Sequence, residues 1–109
     1  MFVIMRLATL VSLWIGHSKE NKLDISIEIS MYPLAEAEYK KHIWGFVEQL
    51  KQVAELRVVT NGMSTQVFGE YDLATSTVMS AIKQVHMQTQ ATVFICKIIG
   101  SDRSHLLAE

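Results

Sequence analysis

The sequence has few of the residues from which disulfides, metal sites and disordered segments are built. Cys96 is the only cysteine in 109 residues, so an internal disulfide and a cysteine-built metal site are excluded. There is one proline and 50% of the residues are apolar, which excludes a disordered chain. Because Cys96 lies in an apolar run, residues 93–99, we expect it to be a small buried hydrophobic residue.

Charge clusters and catalytic motifs are also missing. Ten basic residues stand against eleven acidic ones without a basic cluster, so we expect no binding of nucleic acid. None of the four histidines has a partner at metal-ligand spacing, and we predict neither a metal site nor a cofactor. The G-x-S-x-G elbow, the P-loop and the dinucleotide-binding glycine pattern are absent, so we do not expect an enzyme.

Residues 1–22 are predicted to be an apolar extension and a polar linker ahead of the folded domain. The apolar part, residues 1–15, is shorter than the roughly 20 residues of a membrane-spanning helix, so no membrane span is predicted. Two interpretations stay open, a secretory signal at residues 1–18 and an extension of a cytoplasmic protein. We expect a cytoplasmic location, because the charged leader is a single arginine and no A-x-A pattern follows.

From residue 23 onward, the hydrophobic periodicity predicts six elements. Alternation of period two predicts strands, and apolar residues at three- and four-residue steps predict helices, the second of which is capped by Asp72. The predicted elements are a strand from Leu23 to Pro33, a helix at residues 35–56, strands at 56–60 and 64–71, a helix at 73–89 and a strand at 91–99. The order βαββαβ predicts an α+β fold of the ferredoxin-like type, a four-stranded antiparallel sheet with two helices on one face. The domain then spans residues 23–100, and residues 101–109 form a tail.

The last strand is apolar on both of its faces. Val93, Ile95 and Ile99 point to one side, and the opposite side has Thr92, Phe94, Cys96 and Ile98. Since two helices cover only one face of a sheet, we expect a homo-oligomer that forms through the open face. The first strand presents Glu28, Ser30 and Tyr32 on that same face, where they suit a wet interface or a ligand pocket.

The most informative stretch is residues 60–72. Asn61-Gly62 predicts a hairpin with a tight turn, because both residues tolerate the positive φ of the primed turn types. Asn61, Ser64 and Thr65 place an amide and two hydroxyls beside the glycine, where a small ligand can approach the backbone; alternatively, they only form the turn. Ser64 and Thr65 cannot face the same side of a regular strand, so one of them is structural unless a bulge intervenes.

Two segments have a distinctive sequence: residues 28–34, Glu-Ile-Ser-Met-Tyr-Pro-Leu, and residues 60–70, Thr-Asn-Gly-Met-Ser-Thr-Gln-Val-Phe-Gly-Glu. Together they resemble the thiamine/hydroxymethylpyrimidine-binding family, the YkoF-like proteins. The resemblance extends from Leu23 to Ile99. It implies a ferredoxin-like domain that assembles through its sheets and binds thiamine or its pyrimidine half without transforming it.

The resemblance also implies roles for the polar and aromatic residues of these segments. An aminopyrimidine needs donors and acceptors on one edge and a flat surface for stacking, and a thiazolium cation favours carboxylates and aromatic faces. The candidate ligand-binding residues are Asn61, Ser64 and Thr65 for the edge, Tyr32 or Phe68 for stacking, and Glu28 or Glu70 for the charge. Glu28 and Glu70 form a carboxylate pair only if their strands are neighbours in a matching register.

The predicted function is non-catalytic binding of thiamine or hydroxymethylpyrimidine, in supply, trafficking or sensing of the vitamin. One alternative is a structural or regulatory module that associates through its sheet and has no small ligand. Another is an enzyme that acts on a pyrimidine, against which stands the missing nucleophile and base.

Overall fold

A computed structural model describes residues 21–34, 37–89 and 91–105 of the chain. Six elements follow one another: β1 (Asp24–Pro33), α1 (Tyr39–Lys51), β2 (Arg57–Thr60), β3 (Thr65–Glu70), α2 (Tyr71–Gln88) and β4 (Thr92–Ile99). This is the predicted βαββαβ order. The two interpretations of residues 1–18 concern a segment that lies outside the described residues.

The first helix is shorter than predicted. It ends at Lys51, and the backbone then continues with tighter i to i+3 hydrogen bonds, from Val53 N to Leu50 O at 3.4 Å and from Leu56 N to Val53 O at 3.1 Å. The apolar periodicity therefore continues past the α-helix, because these turns keep Leu56 in the core, where it is 7% exposed.

The four strands form one antiparallel sheet in the order β2-β3-β1-β4. At its centre, Ile27 of β1 pairs with Val67 of β3 on one side and with Ile98 of β4 on the other. The two βαβ halves thus interleave, which is the ferredoxin-like arrangement. The predicted fold class is confirmed.

The core lies between the sheet and the two helices. The largest fully buried side chains are Ile25, Ile27, Ile29, Leu50, Val47 and Val67. They come from alternate positions of β1 and β3 and from the inner stripe of α1, and each contributes about 1.5–3 kcal/mol by its transfer from water. The odd-numbered positions of β1 therefore face the helices, which leaves Ser26, Glu28, Ser30 and Tyr32 on the open face.

The edge strand β4 exposes apolar side chains on both sides. On the open face, Val93, Ile95 and Ile99 are 46%, 53% and 41% exposed. On the helix side, Ile98 and Cys96 are exposed as well. The prediction that Cys96 is buried is wrong, because β4 is an edge strand that reaches the core only through its first residues and extends beyond the helices at its far end.

Residues 101–105 are attached to the open face of the sheet. Ser26, which is 4% exposed, donates a hydrogen bond through Oγ to Ser101 O at 2.8 Å and accepts one from Arg103 N at 2.8 Å. These bonds bring Arg103 onto the open face beside β1. Residues 106–109 of the predicted tail lie outside the described residues.

No helix in the described part of the chain combines the length and the apolar character of a membrane span.

Candidate functional site

The β2–β3 hairpin closes through residues 61–64, between the paired residues Thr60 and Thr65. Asn61 organises this loop: its Oδ1 accepts hydrogen bonds from Met63 N at 2.8 Å and Ser64 N at 3.1 Å, and its own N–H donates to Ser64 O at 3.1 Å. The hairpin is confirmed. The predicted tight primed turn is wrong, because four residues rather than two separate the paired residues Thr60 and Thr65, and the Asn61 side chain closes this longer loop.

Ser64 and Thr65 serve opposite sides of the sheet, as the strand geometry predicts. Thr65 pairs with Ile29, is 7% exposed, and its Oγ1 lies 2.7 Å from Thr60 Oγ1. Ser64 Oγ instead donates to Glu28 Oε2 at 2.9 Å on the open face. The loop is therefore flanked by a partly buried hydroxyl pair on the helix side and bonded to a carboxylate on the open face.

A cavity of about 120 Å³, which we call the hairpin pocket, lies where this loop meets α1 and β1. Its polar lining comes from Thr60, Asn61, Ser64 and Thr65. Its apolar lining comes from Ile29, Met31, Ile43, Phe46 and Val47. The Phe46 ring packs against Phe94, with 5.2 Å between the ring centroids, and His86 contacts Phe94 edge-on at 5.3 Å. A pocket with apolar walls and hydroxyl groups on the hairpin side suits a small flat molecule with one polar edge.

A second cavity, of about 220 Å³, lies on the open face of the sheet, and we call it the sheet-face cavity. The side chains around it include Glu28, Gln66, Phe68, Lys97, Ile99 and Arg103. Glu28 Oε1 lies 3.5 Å from Lys97 Nζ, and Phe68 is 7% exposed opposite Ser26.

The structure thus divides the seven predicted ligand-binding residues among several places. Asn61, Ser64 and Thr65 line the hairpin pocket, and Glu28 is connected to it through Ser64. Phe68 and Glu28 line the sheet-face cavity. Tyr32 is 47% exposed near the end of β1 and lines neither cavity.

The seventh residue, Glu70, caps α2. Its side chain accepts hydrogen bonds from Asp72 N at 3.0 Å and Leu73 N at 3.2 Å. The bond from Asp72 is the main cause that lowers the pKa of Glu70 below its ordinary value. Burial opposes it, and the bond from Leu73 and the charge of Lys22 lower the pKa further. The prediction that Asp72 is the cap is wrong, because the helix starts two residues earlier than predicted and Asp72 lies within its first turn.

No carboxylate pair forms between Glu28 and Glu70. Their strands are neighbours, but Glu28 pairs with Gln66 and Glu70 pairs with Asp24 at the far end of β1. In the described part of the chain, no three His, Cys, Asp or Glu side chains converge as metal ligands. At Cys96, partial desolvation raises the pKa of the thiol, which keeps it in its protonated, poorly nucleophilic form.

Only three of the eleven residues that line the hairpin pocket are among the predicted ligand-binding residues. The strand pattern predicts Thr60 only as the end of a strand, although its position next to Asn61 puts its hydroxyl within reach of Thr65. Phe46, Ile43 and Met31 carry a periodicity that indicates core positions and nothing more, because a residue that lines the edge of a core has the same spacing as one inside it.

No family model matches this sequence, and no curated protein matches it. Several solved structures are similar to this chain. A hypothetical protein from Methanocaldococcus jannascii has a TM-score of 0.65 at 25% identity, with 78% of this chain and 94% of that chain covered. A protein from Streptococcus pneumoniae has a TM-score of 0.67 at 20% identity, with 80% and 100% covered.

A third similar structure is that of a proposed thiamine biosynthesis or salvage protein from Thermotoga maritima. Its TM-score is 0.62 at 16% identity, with 70% of this chain and 82% of that chain covered. These likenesses show that other small proteins share the fold of this chain.

Proposed function

We propose that this chain is a non-catalytic binding protein for hydroxymethylpyrimidine, or for thiamine held by its pyrimidine half, that acts in supply, trafficking or sensing of the vitamin. The observation that carries the proposal is the hairpin pocket, where three residues of the family-like segment, Asn61, Ser64 and Thr65, meet an apolar wall. The thiamine-related description of the Thermotoga maritima protein, which has the same fold, is consistent with it.

The hydroxyl pair of Thr60 and Thr65 suits the edge of an aminopyrimidine. Only one of two hydroxyls 2.7 Å apart donates to the other, so the pair keeps one proton to donate and lone pairs to accept. A ring nitrogen of the ligand accepts a hydrogen bond from the free hydroxyl proton of the pair. The exocyclic amino group of the ligand donates to a free lone pair on one of the two hydroxyl oxygens. Asn61 Oδ1 already accepts two bonds within the loop, so its role in the proposal is to hold the loop in shape.

The size of the pocket favours the pyrimidine half over the whole vitamin as the recognised part. A volume of about 120 Å³ is well below the roughly 300–1,000 Å³ of pockets for drug-sized ligands. It suits a single substituted ring that packs on Phe46. In thiamine, the thiazolium ring would lie outside the pocket, so we expect similar affinities for thiamine and for hydroxymethylpyrimidine.

Calorimetric titration of the full chain with each ligand tests this function. We expect saturable binding of both, weakened about tenfold or more by Thr65→Val, which keeps the shape of the side chain and removes the hydroxyl. Thr75→Val is the matched control, because Thr75 Oγ1 is exposed on α2 and bonds only to carbonyls of its own helix, at Tyr71 and Asp72. Binding of neither ligand by folded protein would contradict the proposal, and so would conversion of the ligand during the titration.

One observation favours a second function, that of an association module without a small ligand. Val93, Ile95 and Ile99 form an exposed apolar surface on the open face of the sheet, away from the hairpin pocket. A protein that only associates would self-assemble but give no heat with either ligand. In that case Thr65→Val would change stability alone.

A further inference from the structure

Gln66 lines the sheet-face cavity, and its side-chain oxygen is a buried acceptor without a partner among the described residues. Gln66 Nε2 lies 3.4 Å from Ser64 Oγ, while Gln66 Oε1 accepts no hydrogen bond from the described part of the chain. The orientation of this amide follows from its neighbours. Ser64 Oγ gives its only proton to Glu28 Oε2, so the group that faces Ser64 must be the NH₂ donor, and the carbonyl oxygen must point elsewhere. A buried acceptor without a donor costs free energy unless a ligand supplies one.

The same cavity has an excess of one positive charge. Lys97 and Arg103 contribute two positive charges and Glu28 one negative charge, so the side chains around the cavity carry a net charge of about +1. Glu28 is already engaged by Lys97 at 3.5 Å and by Ser64. Arg103 is positioned by its backbone bond to Ser26 and by a bond from its Nε to Ser101 Oγ at 3.1 Å. Its guanidinium forms no ion pair within the described residues, whose ion pair on this face is that of Lys97 with Glu28.

The remaining walls of the cavity are apolar. Phe68 is almost completely buried, and Ile99 is 41% exposed beside it. A volume of about 220 Å³ again suits one ring rather than a drug-sized molecule. An aromatic wall, an acceptor and a single excess positive charge together define a ligand class.

We propose that the sheet-face cavity binds a small planar heteroaromatic monocarboxylate. Its carboxylate binds Arg103 and Lys97, and its ring packs against Phe68 and Ile99. Its ring N–H donates to Gln66 Oε1 once the Gln66 side chain turns toward the cavity. A guanidinium matches the geometry of a carboxylate, and a single negative charge balances the net charge of the side chains. A dianion such as a phosphate monoester would exceed that balance and meet Glu28 at close range. The site is separate from the hairpin pocket and does not depend on the function proposed for it.

Three matched probes test the ligand class by calorimetric titration of the full chain. Pyrrole-2-carboxylate has both the donor and the charge, N-methylpyrrole-2-carboxylate lacks the donor, and pyrrole-2-carboxamide lacks the charge. We expect saturable binding of the first and about tenfold weaker binding, or none, of the other two. Equal binding of all three, or binding of none, would overturn the proposal.

Variants locate the binding. Arg103→Gln is expected to weaken pyrrole-2-carboxylate about tenfold, since a charge-assisted bond is lost, whereas Lys83→Gln, which removes an exposed charge on α2, is not. Gln66→Leu is expected to abolish the preference for the N–H probe over its N-methyl analogue. An unchanged affinity in Arg103→Gln, or an unchanged preference in Gln66→Leu, would show that the probe binds elsewhere.

Binding at the hairpin pocket and binding at the sheet-face cavity can be tested independently. Saturating hydroxymethylpyrimidine is expected to leave the affinity for pyrrole-2-carboxylate unchanged, and competition between the two would overturn the separate site. If the protein bound pyrrole-2-carboxylate but neither thiamine nor hydroxymethylpyrimidine, the result would support the sheet-face site. It would contradict only the function proposed for the hairpin pocket.

Discussion

Single side chains of the hairpin region have roles that their positions in the sequence do not reveal. Ser64 and Thr65 are adjacent, yet one binds Glu28 on the open face and the other binds Thr60 on the helix side. The alternation of a strand predicts this division. It does not predict the partners, because these depend on which residues of β1 and β2 lie opposite, and that register is set by the whole sheet.

Glu70 provides a residue-scale prediction about pH. Because its pKa is lowered in the folded protein, the ionised carboxylate stabilises the fold above its ordinary value of 4.5, and this contribution is lost as the pH falls through the lower pKa of the folded state. Replacement by Gln in Glu70→Gln should lower stability at pH 7 and flatten the loss of stability below pH 4.5. Urea unfolding between neutral pH and the acid transition measures both effects.

The expected flattening is partial. Hydrogen bonds from Ser104, through its side chain first and then its backbone, lower the pKa of Asp102 as well, so that group also loses a stabilising contribution in acid. The stabilities of Glu70→Gln and of the wild-type protein should converge as the pH falls, because Glu70 is then protonated in the wild-type protein. A constant difference between them at every pH would show that the Glu70 charge does not act as a cap.

At the scale of elements, the order of strands and helices follows from the sequence because each apolar face has to be buried. The period of two in β1 and the helical stripes of α1 and α2 are strong enough to predict their types. The periodicity does not predict the position of each strand in the sheet. Cys96 lies in an apolar run, but its exposure follows from the place of β4 at the sheet edge. The periodicity also does not give the register between β1 and β3, and in the observed register Glu28 and Glu70 do not lie opposite each other.

Gly69 provides an element-scale prediction about how closely β3 approaches the turn before β2. A Cβ at this position would collide with Leu56 Cδ2, a side chain that is itself in the core. Gly69→Ala should therefore destabilise the protein by about 1–3 kcal/mol, because the core is overpacked there. Denaturant unfolding measures this change in the free energy of unfolding.

A second variant separates the collision from a backbone effect. Leu56→Val shortens the obstructing side chain, so adding Gly69→Ala to it should cost less than adding the same change to the wild-type protein. Gly100→Ala is the control, because no atom lies within 4 Å of a Cβ there. Additive effects of the two changes would rule out the Leu56 contact as the reason for Gly69.

At the scale of the whole molecule, the sheet has helices on one face and exposed apolar residues on the other. Ile95, at 53% exposure, lies among the apolar residues of the open face. We predict self-association through the end of this face at Val93 and Ile95, which Lys97 separates along β4 from Ile99 and the sheet-face cavity. Sedimentation velocity should give a species larger than the 12.3 kDa monomer, and Ile95→Lys should shift it toward the monomer.

The control for this prediction is Met79→Lys, which places the same charge at a residue of α2 that is 61% exposed. It should leave the size distribution unchanged. A monomer at every concentration, or equal effects of Ile95→Lys and Met79→Lys, would contradict association through the open face.

The most direct test of the central claim is to find where hydroxymethylpyrimidine binds, by the backbone amide chemical shifts of the isotope-labelled full chain during a titration. The hairpin pocket predicts that the largest changes occur at residues 60–65 and at Phe46 of α1. Amides of β4, on the far side of β1 from the hairpin, should change little. Changes centred on β4 and residues 101–105, or no changes at saturating ligand, would contradict a pyrimidine site at the hairpin.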